Sequence, residues 1–386
     1  MKKETMRIEK NVWVCLMAIS LSFLYSTEGR AQKTFTIGGF WPMTGPQAYY
    51  GRVMSRGAMT AIDQLNAAGG VEGYKLNLEI TDYKNVDVNL AVTGVQKMIR
   101  IDKVPVVLAS FSAPTLACQP VCERAKVVMI NGGAYSPKLV NKPYLHTIRM
   151  AQQQMVPPVL KYFWKIGIRR LAAIYISDPA GEVPAQEVVK PTWTKWGGTI
   201  VAMEPHEPGM TDYSAQLARI KANNPDAIID ISTGQDQAYI VKGAREVGLA
   251  CPISVPDWTA DFQTIAGKTS ENVFVCVEHF DRESTNPATQ RFVKDFEARY
   301  EPSDFYSANY YDAVYNIIAE LVRRVVAKRG NPLDGAQLES AIWDNPSFDT
   351  VYGGKMVLNR DGTVTKQMVL FKIVNGKLTF VEKAEQ

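Results

Sequence analysis

The sequence predicts an α/β protein made of two doubly wound parallel-sheet lobes, and three observations carry that prediction. Short β-rich runs alternate with amphipathic helical stretches along most of the chain, the pattern of parallel strands covered by helices on both faces. The alternation pauses near residue 150 and restarts near 169, which divides it into two units. A length of 386 residues is long for one core and ordinary for two domains.

The elements follow in order. TFTIGGF (34–40) reads as a strand, and 52–68 as a helix ended by Gly69-Gly70, which supply a left-handed cap. YKLNLEITDY alternates as a strand, 87–101 is helical, and VPVVLAS (104–110) is a continuous apolar strand of the kind buried on both faces. A helix over 114–124 and the strand KVVMING complete the first run. MAQQQMVPPVL (150–160), polar and proline-bearing, reads as a crossover. RRLAAIYIS, a helix over 183–196, GGTIVAMEPH, a helix over 212–223, DAIIDIS, a helix over 235–248, PISVPDW and VFVCVEHF form the second run. The C-terminal piece differs, because its Asp361-Gly362 and Asn375-Gly376 turns between alternating apolar residues predict antiparallel hairpins.

The first 31 residues stand apart from this fold. Lys2, Lys3, Arg7 and Lys10 precede the apolar run VWVCLMAISLSFLY, and Gly29-Arg30-Ala31 follows; this is the layout of a cleaved secretory signal. The apolar run is short of the ~20 residues that span a bilayer. Cys15 lacks the small residues expected before a lipid-modified cysteine. Of the formal charge of +4, residues 1–31 carry +2, so the mature chain is nearly neutral and a nucleic-acid partner is not expected. Of the remaining cysteines, a Cys251–Cys276 bridge and free, half-buried thiols both fit, whereas Cys118 and Cys122 one helical turn apart suit a bridge poorly. His146, His206 and His279 lack metal-ligand spacing, so neither metal nor cofactor is expected.

Ligands of open parallel sheets bind at the carboxyl ends of the strands. Ser110 and Ser112 stand at such an end, directly before Ala113-Pro114 opens a helix. Free first-turn amides with a hydroxyl make an anion site, and Ser112 as a plain N-cap fits the same position. NGGAYSP (131–137) ends the next strand, and its glycines serve either close approach to a ligand or an ordinary turn. In SVPDWTADF, Asp257 and Trp258 arrive together at a strand end; there Asp257 either faces a cation or caps the helix that follows. FWPMTGPQAYYG brings Trp41, Tyr49 and Tyr50 to the mouth of the same crevice, where aromatic rings suit an apolar ligand body.

These segments in this order, together with LNAAGGVEGYKLNLEITDYKN, MTDYSAQLARIKANNPDAIID and LNRDGTVTKQMVLFKIVNGKL, resemble the periplasmic leucine/isoleucine/valine-binding proteins, the solute receptors of branched-chain amino acid ABC importers. The resemblance runs through nearly the whole mature chain. It implies the type I periplasmic binding protein fold: two Rossmann-like lobes, about 33–150 plus 281–352 and 151–280 plus 353–386, joined by a three-strand hinge. It further implies a soluble periplasmic protein that is not an enzyme and closes over a small carboxylate-bearing ligand, a branched-chain or other apolar amino acid. Permease subunits of an importer would be its partners, and one ligand per pair of lobes suits a monomer.

Position by position, the resemblance puts the carboxylate-binding serine on Ser112 and the carbonyl that receives the ligand's ammonium on Gly133. The residue whose amide and hydroxyl hold the carboxylate falls on Tyr135, the acidic partner of the ammonium on Asp257, and an aromatic lining residue on Tyr50. Three positions depart from the family: Tyr135 stands where threonine is usual, Thr233 where tyrosine is common, and Asp257 is one methylene shorter than the usual glutamate. With Trp41, Tyr50, Tyr135 and Trp258 near the cleft, aromatic carboxylates or small amides are the rival ligands, and sensing for a receptor kinase is the rival role.

Overall fold

The computed structural model describes residues 33–85 and 87–384. The predicted signal segment lies outside them. The first sheet has the order β2-β1-β3-β4-β5, with β1 Lys33–Trp41, β2 Tyr74–Asp82, β3 Val106–Ala109, β4 Val128–Asn131 and β5 Leu145–Thr147 all parallel. Every residue of β3 and β4 is buried, which is why those runs carry no polar alternation. Helices α1 (Ala48–Ala67), α2 (Val88–Arg100) and α3 (Ser112–Ala125) make the crossovers. Gly69 and Gly70, at φ +99° and +85°, end the first of them as the turn chemistry requires.

The second sheet repeats the arrangement. After α4 (Gln152–Lys165), β6 (Arg170–Ile176), β7 (Thr199–His206), β8 (Ala227–Ile231), β9 (Ile253–Val255) and β10 (Val273–Glu278) stand in the order β10-β9-β8-β6-β7. In both sheets, therefore, the second strand lies outside the first and the third on its other side. The connecting helices are α5 (Lys190–Lys195), α6 (Ser214–Ala222), α7 (Asp236–Glu246) and α8 (Ala260–Ala266). The helix expected over 183–196 is regular only from Lys190; residues Pro184–Val189 form a π-helical turn, where Pro191 has no amide to give the preceding turn.

The chain then returns to the first lobe with α9 (Pro287–Glu297), α10 (Phe305–Asp312), α11 (Ala319–Ala327) and α12 (Gly335–Asp344). α10 lies so close to α1 that a Cβ on Gly57 would stand 2.2 Å from the Ser307 carbonyl oxygen. The strands β11 (Ser347–Asp349), β12 (Lys355–Leu358) and β13 (Val364–Thr365) form a small antiparallel sheet. It is tied beside β5 by the bonds Asn141 N–H to Asp361 O (2.6 Å) and Thr147 N–H to Gly362 O (2.8 Å). The boundary expected at 352/353 thus falls inside this sheet, and the chain enters the second sheet with β14 (Met368–Val374) and β15 (Lys377–Ala384), antiparallel to each other. Asn375 and Gly376 at φ +52° and +72° give the turn between them the type I′ character expected from Asn-Gly.

Among the described residues no helix is long and apolar enough to cross a membrane. Cys118, Cys122, Cys251 and Cys276 are free thiols, and burial pushes those of Cys118 and Cys276 up to about 12, which leaves them unreactive as thiolates.

Candidate ligand-binding cleft

In each sheet the strand order reverses between the first and third strands, and a crevice opens there at the carboxyl ends. In the first lobe this point lies between β1 and β3, which lead from Trp41 to Tyr50 in the first turn of α1 and from Ser110 to Ser112 at the start of α3. The structure brings the two neighbouring strand ends together as the sequence predicts: a Cβ on Gly133 would stand 3.1 Å from that of Ser110. The Asn131 side chain shapes the second loop, accepting from Gly133 N–H at 3.1 Å and Ala134 N–H at 2.7 Å. Ser112 is not an N-cap. Its Oγ accepts from Ser136 N–H at 3.2 Å and so links the two loops. Ser110 serves the lobe itself, bonded to the Tyr83 hydroxyl at 2.9 Å. Phe111 between the two serines holds φ +57° and ψ 139°, a sparsely populated conformation that costs on the order of 1–3 kcal/mol.

The lobes are closed over this region. Tyr135 is buried, and its hydroxyl donates to the Ser232 carbonyl at the end of β8, at 2.9 Å, so that it spans the cleft. Ser136 Oγ donates to Pro179 O at 2.6 Å. Thr233 is buried in the loop after β8. Tyr135→Phe should therefore leave the melting temperature nearly unchanged but weaken ligand affinity by up to about tenfold, the worth of one net hydrogen bond of about 0.5–1.5 kcal/mol; calorimetry against the bound solute checks it.

At the centre stands a residue the sequence reading passed over. Arg149 has no exposed surface, and its guanidinium lies over the rings of Tyr135, Phe305 and Tyr306 at 4.4, 5.0 and 4.9 Å. Nη2 donates to Asp257 Oδ1, and Nη1 donates to the Tyr306 hydroxyl and, at 3.4 Å, to Gly133 O. The Tyr306 hydroxyl in turn donates to Asp257 Oδ2 at 2.7 Å. Asp257, expected to face a ligand ammonium, thus has an internal cation as its partner. Burial opposes the charge on Arg149, but Asp257, Tyr306 and Glu278 outweigh it and hold its pKa well above the ordinary value. Burial also raises the hydroxyls of Tyr50, Tyr135 and Tyr306 far beyond ionisation, so they act as neutral donors and acceptors.

Tyr50 packs edge-on against Phe111 at 5.9 Å and Tyr306 at 5.3 Å. Its buried hydroxyl reaches no partner at hydrogen-bonding geometry, although Thr259 lies near enough to ease its ionisation. Trp41 is fully buried, edge-on to Tyr310 at 5.5 Å, and belongs to the packing beneath the crevice. Trp258 is half-buried against Phe262 and, with Tyr49, Asp304 and Phe305, lines a neighbouring groove of ≈ 410 Å³ between the lobes. The histidines lie elsewhere: His146 on Glu339, His206 on Ser232, and His279 stacked on Phe371.

The chain is 24% identical over 355 residues to the Leu/Ile/Val-binding protein BraC3 of Rhizobium johnstonii, covering 91% of this chain and 95% of that one. It is 27% identical over 331 residues to the leucine-, isoleucine-, valine-, threonine-, and alanine-binding protein of Pseudomonas aeruginosa, 84% of this chain and 86% of that protein. Among solved structures, the branched-chain amino acid transporter substrate-binding protein LivJ from Streptococcus pneumoniae, in complex with isoleucine, superposes with a TM-score of 0.79 at 23% identity over 91% of this chain and 99% of LivJ. An ABC transporter solute-binding protein from R. palustris in complex with benzoate gives 0.80 at 19% identity over 91% and 96%. The family model for periplasmic binding protein matches residues 34–377, through both lobes and every crossing between them, and the chain belongs to that family.

Proposed function

We propose that this chain is the extracytoplasmic solute-binding component of an ABC importer, and that it closes over a small carboxylate-bearing solute with an apolar body. The observation that carries the reading is the pair of facing crevices, joined by contacts across the cleft: Tyr135 to Ser232, Ser136 to Pro179, and Tyr306 to Asp257. A solute docked on the first lobe through Ser112, Tyr50 and the backbone around Gly133 favours closure by whatever it gains from the second. The closed shape is then what the permease reads. The curated relatives are named for small, mostly aliphatic amino acids and some structural neighbours hold aromatic acids; a carboxylate is common to both. The location follows from the predicted signal segment together with the family.

Ser112→Ala tests the site. Its affinity for the solute that most raises the wild-type melting temperature is expected to fall by roughly ten- to a hundredfold, as for one lost hydrogen bond to a charged group. Unchanged affinity in calorimetry would remove Ser112 from the site.

A further inference from the structure

We infer that Arg149 decides which headgroup the cleft accepts, and that it selects carboxylates lacking an α-ammonium over the matching amino acids. The inference rests on the reading of the cleft as a small-carboxylate site and goes further by naming the class.

An ammonium offers three donors and no acceptor, so its seat must supply acceptors. The two groups placed to do so each accept already from an internal donor, and Asp257 has its charge paired with Arg149. Asp257 accepts from Arg149 on one oxygen and from Tyr306 at 2.7 Å on the other, while Gly133 O accepts from Arg149 at 3.4 Å. An ammonium there would also sit beside a guanidinium with no exposed surface, where like charges are poorly screened. Unspent donors remain instead. Arg149 Nε and the Tyr50 hydroxyl are buried without a hydrogen-bond partner, and a carboxylate oxygen satisfies either.

The other acidic groups nearby are occupied or set aside. Asp304 caps α10 and accepts from Tyr49 at 3.2 Å. Glu278 accepts from Met150 N–H at 2.6 Å on one oxygen and keeps the other without a hydrogen bond, but Arg149 and Lys366 both act on this carboxylate and oppose a third cation beside it. Gln47 Oε1 is an unspent acceptor but neutral. Asp261, in the first turn of α8, keeps one oxygen unpaired and is the rival seat for an ammonium.

The test uses matched pairs that differ only at the α-carbon: leucine with 4-methyl-2-oxopentanoate, and phenylalanine with phenylpyruvate, with benzoate beside them, each titrated into the mature wild-type protein by calorimetry. The oxo acids or benzoate are expected to bind at least tenfold more tightly than the amino acids. Arg149→Gln, which frees Asp257, is expected to move the preference toward the amino acid by a further tenfold or more. Tighter binding of the amino acids by wild type overturns the inference while leaving the carboxylate site intact, and loss of that preference in Asp261→Asn would then locate the ammonium. No binding by any of these carboxylates overturns the reading of the site itself. The wild-type comparison decides even if a variant fails to fold.

Discussion

Asp257→Ala is expected to lower the melting temperature and to raise the radius of gyration of the unliganded protein together. Removing one partner of a buried ion pair typically costs about 3–5 kcal/mol, because the survivor is left charged and dry. Here the survivor is Arg149, enclosed by three aromatic rings with Asp257 on the opposing lobe. Hinge opening gives that guanidinium a route to water that unfolding does not need, so part of the cost should appear as opening. Small-angle scattering and thermal melting read the two components. The double variant Arg149→Met/Asp257→Leu should recover much of the loss, since exchanging a whole buried pair for apolar groups of similar volume is often neutral or stabilising. If Asp257→Ala alters neither quantity, the pair does not hold the lobes together.

Much of this architecture was legible because its signals are local. The apolar runs over β3 and β4, the glycine stop after α1 and the Asn-Gly turn before β15 each follow from backbone sterics or burial within a few residues. The placement of β11 to β13 was not. An alternating hairpin reads the same beside either lobe, and what fixes it to the first is a pair of backbone bonds from Asn141 and Thr147 to the Asp361-Gly362 turn, more than two hundred residues distant in sequence.

The site divides in the same way. Ser112, Gly133 and Tyr135 sit at strand ends that periodicity locates, and the structure gathers them. The direction of the Tyr135 side chain depends on the second lobe, which no local pattern encodes. Arg149 did leave a trace: it is a charge inside LHTIRMA, where every residue proves to be buried, and a fully buried arginine demands a partner. Tyr306 left less, since its neighbours on α10 are also aromatic and buried. What marks it out is Asp257, brought alongside by closure of the lobes.

Asp230→Asn is expected to raise stability at neutral pH and to flatten its dependence on pH. Asp230 lies on β8 with both carboxyl oxygens buried and short of hydrogen-bonding geometry, beside a cavity of ≈ 20 Å³ shared with Gln152, Ser254 and Cys276. Burial raises its pKa to about 8, the nearby Ser232 hydroxyl and amide countering only part of that, with Asp236 and Asp257 adding to it. The folded state therefore keeps a proton that the unfolded chain releases near its ordinary value of 3.8. Stability from this group is complete below pH 4 and is lost as pH climbs toward 8, by up to about 1.4 kcal/mol per pH unit. Asparagine, nearly isosteric and uncharged, removes that slope. Asp236, Asp304 and Asp312, raised by burial to about 7, 6 and 6, slope in the same direction, so the variant should lessen the decline without abolishing it. Denaturant unfolding at a series of pH values between 4 and 8 measures the difference, and parallel curves for wild type and variant would mean that Asp230 is already ionised in the fold.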